Sequence, residues 1–245
     1  MHRFYADPVR SRENTLFLMS EDAHHALNVL RLREGCEVEV IDRGISFTGI
    51  IDRIDSKDVS VKITGHLPSS ETGISFTLFQ GLPKGDKMDM IVQKAVELGV
   101  SRIVPVEMSR CVLRLNEKDA SRKQARWQKI AREAVKQCGR SVVPEIEIPV
   151  SLQDISSIRN GIQEIVVPWE MASGYGPKSF VRDHPDIVSL GIVIGPEGGI
   201  SPDEMKHLIA LPACALTLGP RILRTETAGL AAISAFAALY GEMEK

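Results

Sequence analysis

Residues 192–204, IVIGPEGGISPDE, restrict the fold of this chain more than any other stretch. An apolar run ends in a turn whose glycines, Gly195, Gly198 and Gly199, can take positive φ and admit a ligand to bare backbone. Pro196 keeps that turn stiff. Beyond it, Ser201 is suited to cap a helix, Pro202 to occupy its first position and Glu204 to complete a capping box. Strand, rigid bend and helix in that order belong to an α/β sheet, where ligands settle at the carboxyl ends of strands. The same bend also serves as an ordinary tight turn.

The rhythm continues through the C-terminal part of the chain. Strands are expected near 74–80, 102–106, 163–167, 186–195 and 213–218, and helices near 87–98, 119–139, 201–210 and 225–240, with weaker helices near 151–159 and 177–183. Several strands are apolar without interruption, which predicts a parallel sheet covered on both faces. Earlier residues read differently. HRFYA, TLFLM, EVEVID, FTGIID and VSVKIT are short strands, and their period of two turns Val38, Val40, Val59, Val61 and Ile63 toward a core. With one short helix near 24–33, they predict a small β-barrel of the kind that often binds RNA. HLPSSETG, residues 66–73, reads as a linker, so the expected domains are 1–70 and 74–245.

Charge is unevenly distributed. The chain of 245 residues has a net charge of −2, yet residues 84–140 carry 14 basic and 7 acidic side chains. At about 100° per residue, Arg122, Arg126, Lys129, Lys136 and Arg140 fall within roughly 40° of one direction, opposite Trp127, Ala131, Ala134, Val135 and Cys138. A basic stripe is commonly just solvated and Glu133 sits within it, but Arg110, Arg114, Lys84, Lys87 and Lys94 add to the same segment and favour nucleic-acid contact. The four cysteines lack C-x-x-C spacing, and the pair His24-His25 has no companion ligands, so no metal site is expected. No apolar run reaches the 18 or so residues of a membrane span, and MHRFYADPVR lacks a signal segment, so a cytoplasmic protein without a membrane partner is expected.

A second motif, LTLGPRILRTETAGLAAISAFAAL, occupies residues 216–239. A strand ends at Gly219-Pro220, an irregular loop carries Arg221, Ile222, Leu223 and Arg224, and a helix opens with Thr225-Glu226-Thr227. A guanidinium at a helix start needs an anionic neighbour, such as Glu226, Glu197 or a bound phosphate. If the two glycine-bearing loops are neighbours, they wall one pocket, in which backbone groups can read an adenine edge and Leu218, Ile222 and Leu223 can cover its faces. Trp169 and Glu170 follow the apolar IVVP run and extend a third loop toward the same place, unless the indole packs in the core. The small residues of the last helix suit close packing against the sheet or a second subunit, or an alanine-rich core helix. Neither loop is a Walker A or G-x-G-x-x-G fingerprint, which argues against a kinase or dehydrogenase.

IGPEGGIS followed by LGPRILRTETA resembles the ribosomal RNA small subunit methyltransferase E family of the SPOUT class. KGDKMDMIVQKAVELGV (84–100), RWQKIAREAVKQCGR (126–140) and HHALNVLR (24–31) resemble further signatures of that family, so the likeness spans the chain. It implies an N-terminal PUA-like RNA-binding barrel and a C-terminal α/β domain tied in a deep trefoil knot. It also implies S-adenosylmethionine held by Val167, Pro168, Trp169 and Glu170, by Ile194, Gly195, Pro196, Glu197, Gly198 and Gly199, and by Leu218, Gly219, Ile222, Leu223, Thr225, Thr227 and Ala228. The implied reaction is methylation of N3 of uridine 1498 in 16S ribosomal RNA, carried out by a dimer. RNA contacts are expected from His25, Arg31, Lys84, Lys87, Arg122, Arg126, Lys129, Lys136 and Arg140. For such a transfer Arg224 is the candidate to stabilise an anionic base, and Glu226 the weaker candidate either to accept a proton or to hold Arg224 in place. Two other classes compete: a non-catalytic RNA-binding assembly protein, which has no use for the glycine loops, and a phosphate-loop enzyme, which needs the missing Walker lysine.

Overall fold

Alternation of apolar and polar residues organises the first compact unit, Met1–Glu71 with Val135–Val143. In the computed structural model, which describes residues 1–12, 14–55 and 58–244, its strands are β1 (His2–Tyr5), β2 (Thr15–Phe17), β3 (Glu37–Asp42), β4 (Ile45–Asp55) and β5 (Asp58–His66). They lie in the order β1-β3-β4-β5-β2, with β1 and β3 parallel and the other pairs antiparallel. An Ala6–Leu18 bridge and the 2.9 Å bond from the Met19 N–H to the Tyr5 carbonyl join the two outer strands and close the sheet into a barrel. Val38, Val40, Val59 and Val61 point inward with no exposed surface, beside Phe4, Leu16 and Ile51, while Ile63 is only partly buried.

The barrel's helix differs from the expected span. It begins earlier, as α1 (Ser20–His24), and continues as a π turn over His25–Val29. The Asp22 carboxylate accepts the Tyr5 N–H at 2.6 Å, which pins α1 to β1, and the Leu32 N–H returns to the Ala26 carbonyl, ending the helix before Arg31 at φ +54°. HLPSSETG is not a free linker either. Its Glu71 carboxylate accepts Arg140 Nε at 2.9 Å and Nη2 at 2.5 Å, together with the Ser141 and Val142 amides, both at 2.9 Å.

The second unit, Thr72–Ala134 with Pro144–Lys245, is the alternating α/β part. It comprises β6 (Ser75–Gly81), α2 (Lys87–Glu97), β7 (Val100–Glu107), α3 (Glu117–Cys138, whose last turn belongs to the first unit), β8 (Glu145–Ile146), β9 (Val150–Ser151), α4 (Ile155–Ile158), β10 (Glu164–Pro168), α5 (Pro177–Asp183), β11 (Ser189–Ile194), α6 (Pro202–Ala210), β12 (Ala213–Leu216) and α7 (Thr225–Leu239). All pairs are parallel in the order β12-β10-β11-β6-β7-β8, with β9 beside β7. Every residue of β11 is buried, as its unbroken apolar run requires. From β6 the chain goes to β7 on one side and later returns to β11 on the other, and such a reversal leaves a crevice at the strands' carboxyl ends.

Local chemistry fixes the elements around that crevice. Ser201 Oγ accepts the Glu204 N–H at 3.3 Å and Glu204 accepts the Ser201 N–H at 2.9 Å, so α6 starts from a complete capping box. A second Glu204 oxygen takes the Ser109 N–H at 2.6 Å and ties the turn after β7 to the same helix start. The small residues of α7 let it lie against β6 and β11: a methyl group at Gly229 would stand 3.3 Å from Leu78 and 3.5 Å from Ile194.

Candidate active site

The ends of β10 and β11 and the loop after β12 enclose two adjoining cavities of about 430 and 440 Å³, which share Pro168, Glu170, Ile222, Leu223 and Ala228. The first is lined by Trp169, Leu218 and Gly219 together with polar Ser173, Thr217 and Arg221. The second is floored by the turn from Gly195 to Gly199 and reaches Lys87, Arg224 and Thr225. That turn is held from several sides. Gly199, at φ +71°, sends its N–H to the Pro196 carbonyl at 2.9 Å. At Gly81 a Cβ would lie 2.6 Å from the Pro196 nitrogen, so only glycine lets the end of β6 meet the loop. Arg110 Nη1 donates to the Gly198 carbonyl at 2.8 Å.

A buried hydrogen-bond chain joins the walls. Gln80 Nε2 donates to Thr225 Oγ1 at 2.9 Å, and Thr225 Oγ1 donates to the Gly195 carbonyl at 2.7 Å. Both side chains are buried, and such internal bonds lock one arrangement because the alternative leaves polar groups dry and unpaired. The head of α7 is thereby fixed to the glycine turn.

Charge gathers at the second cavity. Lys87 Nζ lies 2.9 Å from Glu197 Oε1 and 3.1 Å from Glu226 Oε2, and the Lys84 N–H reaches Glu197 at 3.1 Å. These carboxylates raise the Lys87 pKa, Glu197 more than Glu226. Burial pushes Glu197 up, but the Lys87 ammonium and backbone N–H groups outweigh it and leave its pKa below the ordinary carboxylate value. Glu226 is lowered chiefly by its own backbone N–H, against burial, with further help from Lys87 and Arg224. Both carboxylates are therefore ionised at neutral pH, and Glu226 is a weak base. The Arg224 side chain is exposed, and among the described residues it makes no hydrogen bond or ion pair. Its carbonyl accepts the Thr227 and Ala228 N–H groups at 2.8 Å, so the guanidinium leaves the chain at the positive end of α7.

Comparison with known proteins decides which family builds such a cleft. An RNA methyltransferase domain matches residues 70–237, and an RNA methyltransferase PUA domain matches residues 20–64. The ribosomal RNA small subunit methyltransferase E of Bacillus subtilis is 36% identical, over 90% of this chain and 89% of its own length. The chain belongs to the ribosomal RNA small subunit methyltransferase E family. The Aquifex aeolicus member is 32% identical over 96% of this chain and 98% of its own. The crystal structure of the Neisseria gonorrhoeae member, bound to S-adenosyl methionine, superposes with a TM-score of 0.84 at 31% identity, covering 99% of both chains.

Within this family member most residues expected to hold the donor line one cavity or the other, but two do not. Val167 is wholly buried inside β10, and Thr227 stands on the exposed side of the first turn of α7. Sequence reading missed Ala172, Ser173, Gly174 and Thr217, which line the first cavity, and Gln80, whose one signal was an amide within an apolar strand.

The basic residues sort by their partners. His25, Arg31, Lys84 and Lys129 are exposed, as is Arg122, which pairs with Asp119 at 3.0 Å. Arg126 is exposed and paired with Asp89. Lys136 is largely engaged within the fold: its ammonium lies 2.6 Å from Asp22 and 5.1 Å from the centre of the Tyr5 ring, with 19% of the side chain exposed. The Arg140 side chain is likewise only 7% exposed, and its guanidinium is taken up by Glu71. Lys87 belongs to the cleft.

Proposed function

We propose that this chain transfers the methyl group of S-adenosylmethionine to N3 of uridine 1498 in 16S ribosomal RNA, with Arg224 stabilising the anionic base. The observation that carries this reading is the two-lobed cleft at the strand ends, with the exposed Arg224, which makes no hydrogen bond or ion pair among the described residues, lining its second lobe. The residues fit the donor: Trp169, Leu218, Ile222 and Leu223 beside the Gly219 backbone in the first lobe suit a purine, and the second is glycine-floored and charged. When bound, the donor supplies an electrophilic methyl group. The chain's part is to hold donor and base within attacking distance and in line. Rigidity of the glycine turn, fixed by Arg110 and Thr225, serves that purpose.

The imide nitrogen of uracil is a poor nucleophile while protonated, so its proton passes to solvent as the methyl moves from sulfur to nitrogen, and the negative charge that develops must be supported on the base. Arg224 is free to do so, and the amino end of α7 adds to its field. Glu226, ionised and held by Lys87, acts as a charge partner of the lysine instead of a base poised near neutrality. His25, Arg31, Lys84, Arg122, Arg126 and Lys129 are the RNA contacts in this reading, with residues 1–70 as the RNA-binding domain and 74–245 as the methyltransferase domain. The trefoil knot accords with the return of the chain from β12 at the sheet edge to Gly195, where Thr225 bonds. The substrate is RNA within the small subunit in the cytoplasm, and a homodimer completes the site; the 87% exposure of Ile222 between the two lobes supports a second copy there. Incubation with labelled donor and small subunits lacking the modification, followed by mapping of the methylated base, tests the whole. Label at N3 of that uridine is expected, and label on any other atom overturns the assignment.

A further inference from the structure

We infer that Lys87 is a positioning residue that holds the Glu226 carboxylate away from Arg224 and so keeps that guanidinium open to the substrate. The inference rests on the role proposed for Arg224. Arg224 is the N-cap of α7 and Glu226 lies in its first turn, near enough for the guanidinium charge to act on the carboxylate. They do not pair here. Glu226 Oε2 lies 3.1 Å from Lys87 Nζ, and no ion pair joins it to Arg224 among the described residues.

Lys87 is itself anchored. Glu197 Oε1 holds the same ammonium at 2.9 Å, and the Lys84 N–H fixes Glu197 from the start of the α2 turn. The glycine turn thus places the lysine, and the lysine places Glu226. Two carboxylates already surround the ammonium, and their field repels a phosphate, so the contact expected from the basic segment is replaced by one within the cleft. Without the ammonium, Arg224 becomes the nearest cation left to Glu226 along α7.

The test compares Lys87→Met, Lys87→Arg and the double variant Lys87→Met with Glu226→Gln. Turnover, donor affinity by calorimetry, and the salt dependence of RNA binding are measured on the full chain. Lys87→Met is expected to lower turnover about 30-fold, part of the 10²–10³ that one such donor carries, with donor affinity held within about threefold. Adding Glu226→Gln should recover about tenfold of that loss, since Glu226 then no longer competes for Arg224 while Glu197 keeps its bond from the Lys84 N–H. Lys87→Arg should stay near wild type.

A double variant no more active than Lys87→Met overturns the inference, as does donor binding that falls in step with turnover. A drop of about one in the slope of log affinity against log salt for Lys87→Met makes the lysine a phosphate contact and also overturns it. A wild-type protein that binds no donor overturns the functional reading and this inference with it. An active wild type with an unaffected Lys87→Met overturns the inference alone.

Discussion

The end of α3 with the residues just beyond it, and the loop entering α7, carry basic residues that look alike in the sequence and end differently in the fold. Lys136 and Arg140 meet Asp22 and Glu71, which lie 114 and 69 residues away along the chain, and little of either basic side chain reaches solvent. Arg221 and Arg224 are exposed, and Arg224 has an acid two residues away that is engaged elsewhere. A helical projection gives direction but not partners. Whether a cation serves the fold or a ligand depends on which carboxylate the tertiary structure brings within about 4 Å, where attraction in a partly dry site outweighs that in water several-fold.

The most forceful way to break this contrast is Arg140→Met. It leaves the half-buried Glu71 carboxylate without its guanidinium and should cost about 3 kcal/mol of unfolding free energy in urea, the low end of the range for a broken buried pair. A loss below about 1 kcal/mol would put Arg140 with ordinary surface cations. Arg224→Ala should do the reverse. Turnover is expected to fall about 10²–10³-fold, or about 3–4 kcal/mol of transition-state stabilisation, while unfolding free energy stays within about 0.5 kcal/mol. Donor affinity falling in step with turnover would instead make Arg224 a donor-binding residue.

How much of the fold was legible follows the same division between local pattern and distant pairing. Val38, Val40, Val59 and Val61 were readable as core because a strand alternates its faces. Ser201 and Glu204 were readable as a capping box because both halves lie within four residues. The closing Ala6–Leu18 bridge, the two-residue strands β8 and β9, and the chain from Gln80 through Thr225 to Gly195 carry no local period and could not be read. The partners of two basic residues were hidden for the same cause: Lys87 and Arg110 both hold the glycine turn, Lys87 through Glu197 across 110 residues and Arg110 through Gly198 across 88. The strand-end loops themselves were legible because their glycines and flanking apolar runs are contiguous.

A smaller effect sharpens the contrast along α3 itself. Arg122→Ala and Lys129→Ala should each lower the salt slope of RNA binding by about one, whereas Lys136→Ala should leave it unchanged and cost stability instead. Equal slopes for Lys129→Ala and Lys136→Ala would mean that the Asp22 pair opens in solution and that burial does not separate the two ends of the stripe.

The smallest effect is a pH window, and its sign follows from Glu71. Burial is the largest influence and raises its pKa, but the Arg140 guanidinium and the Val142 and Ser141 amides together overcome it, so the folded value lies below the ordinary 4.5. The unfolded chain then binds this proton more readily, so stability from Glu71 is fully present above pH of about 4.5 and drains away as pH falls through the folded value. Thermal midpoints of wild type and Glu71→Gln should stay well apart at pH 7 and converge only below about 4.5. Convergence already near pH 6 would require a raised carboxylate, meaning that desolvation has won over Arg140. The arginine just beyond α3 would then be no better partnered than the one at the head of α7.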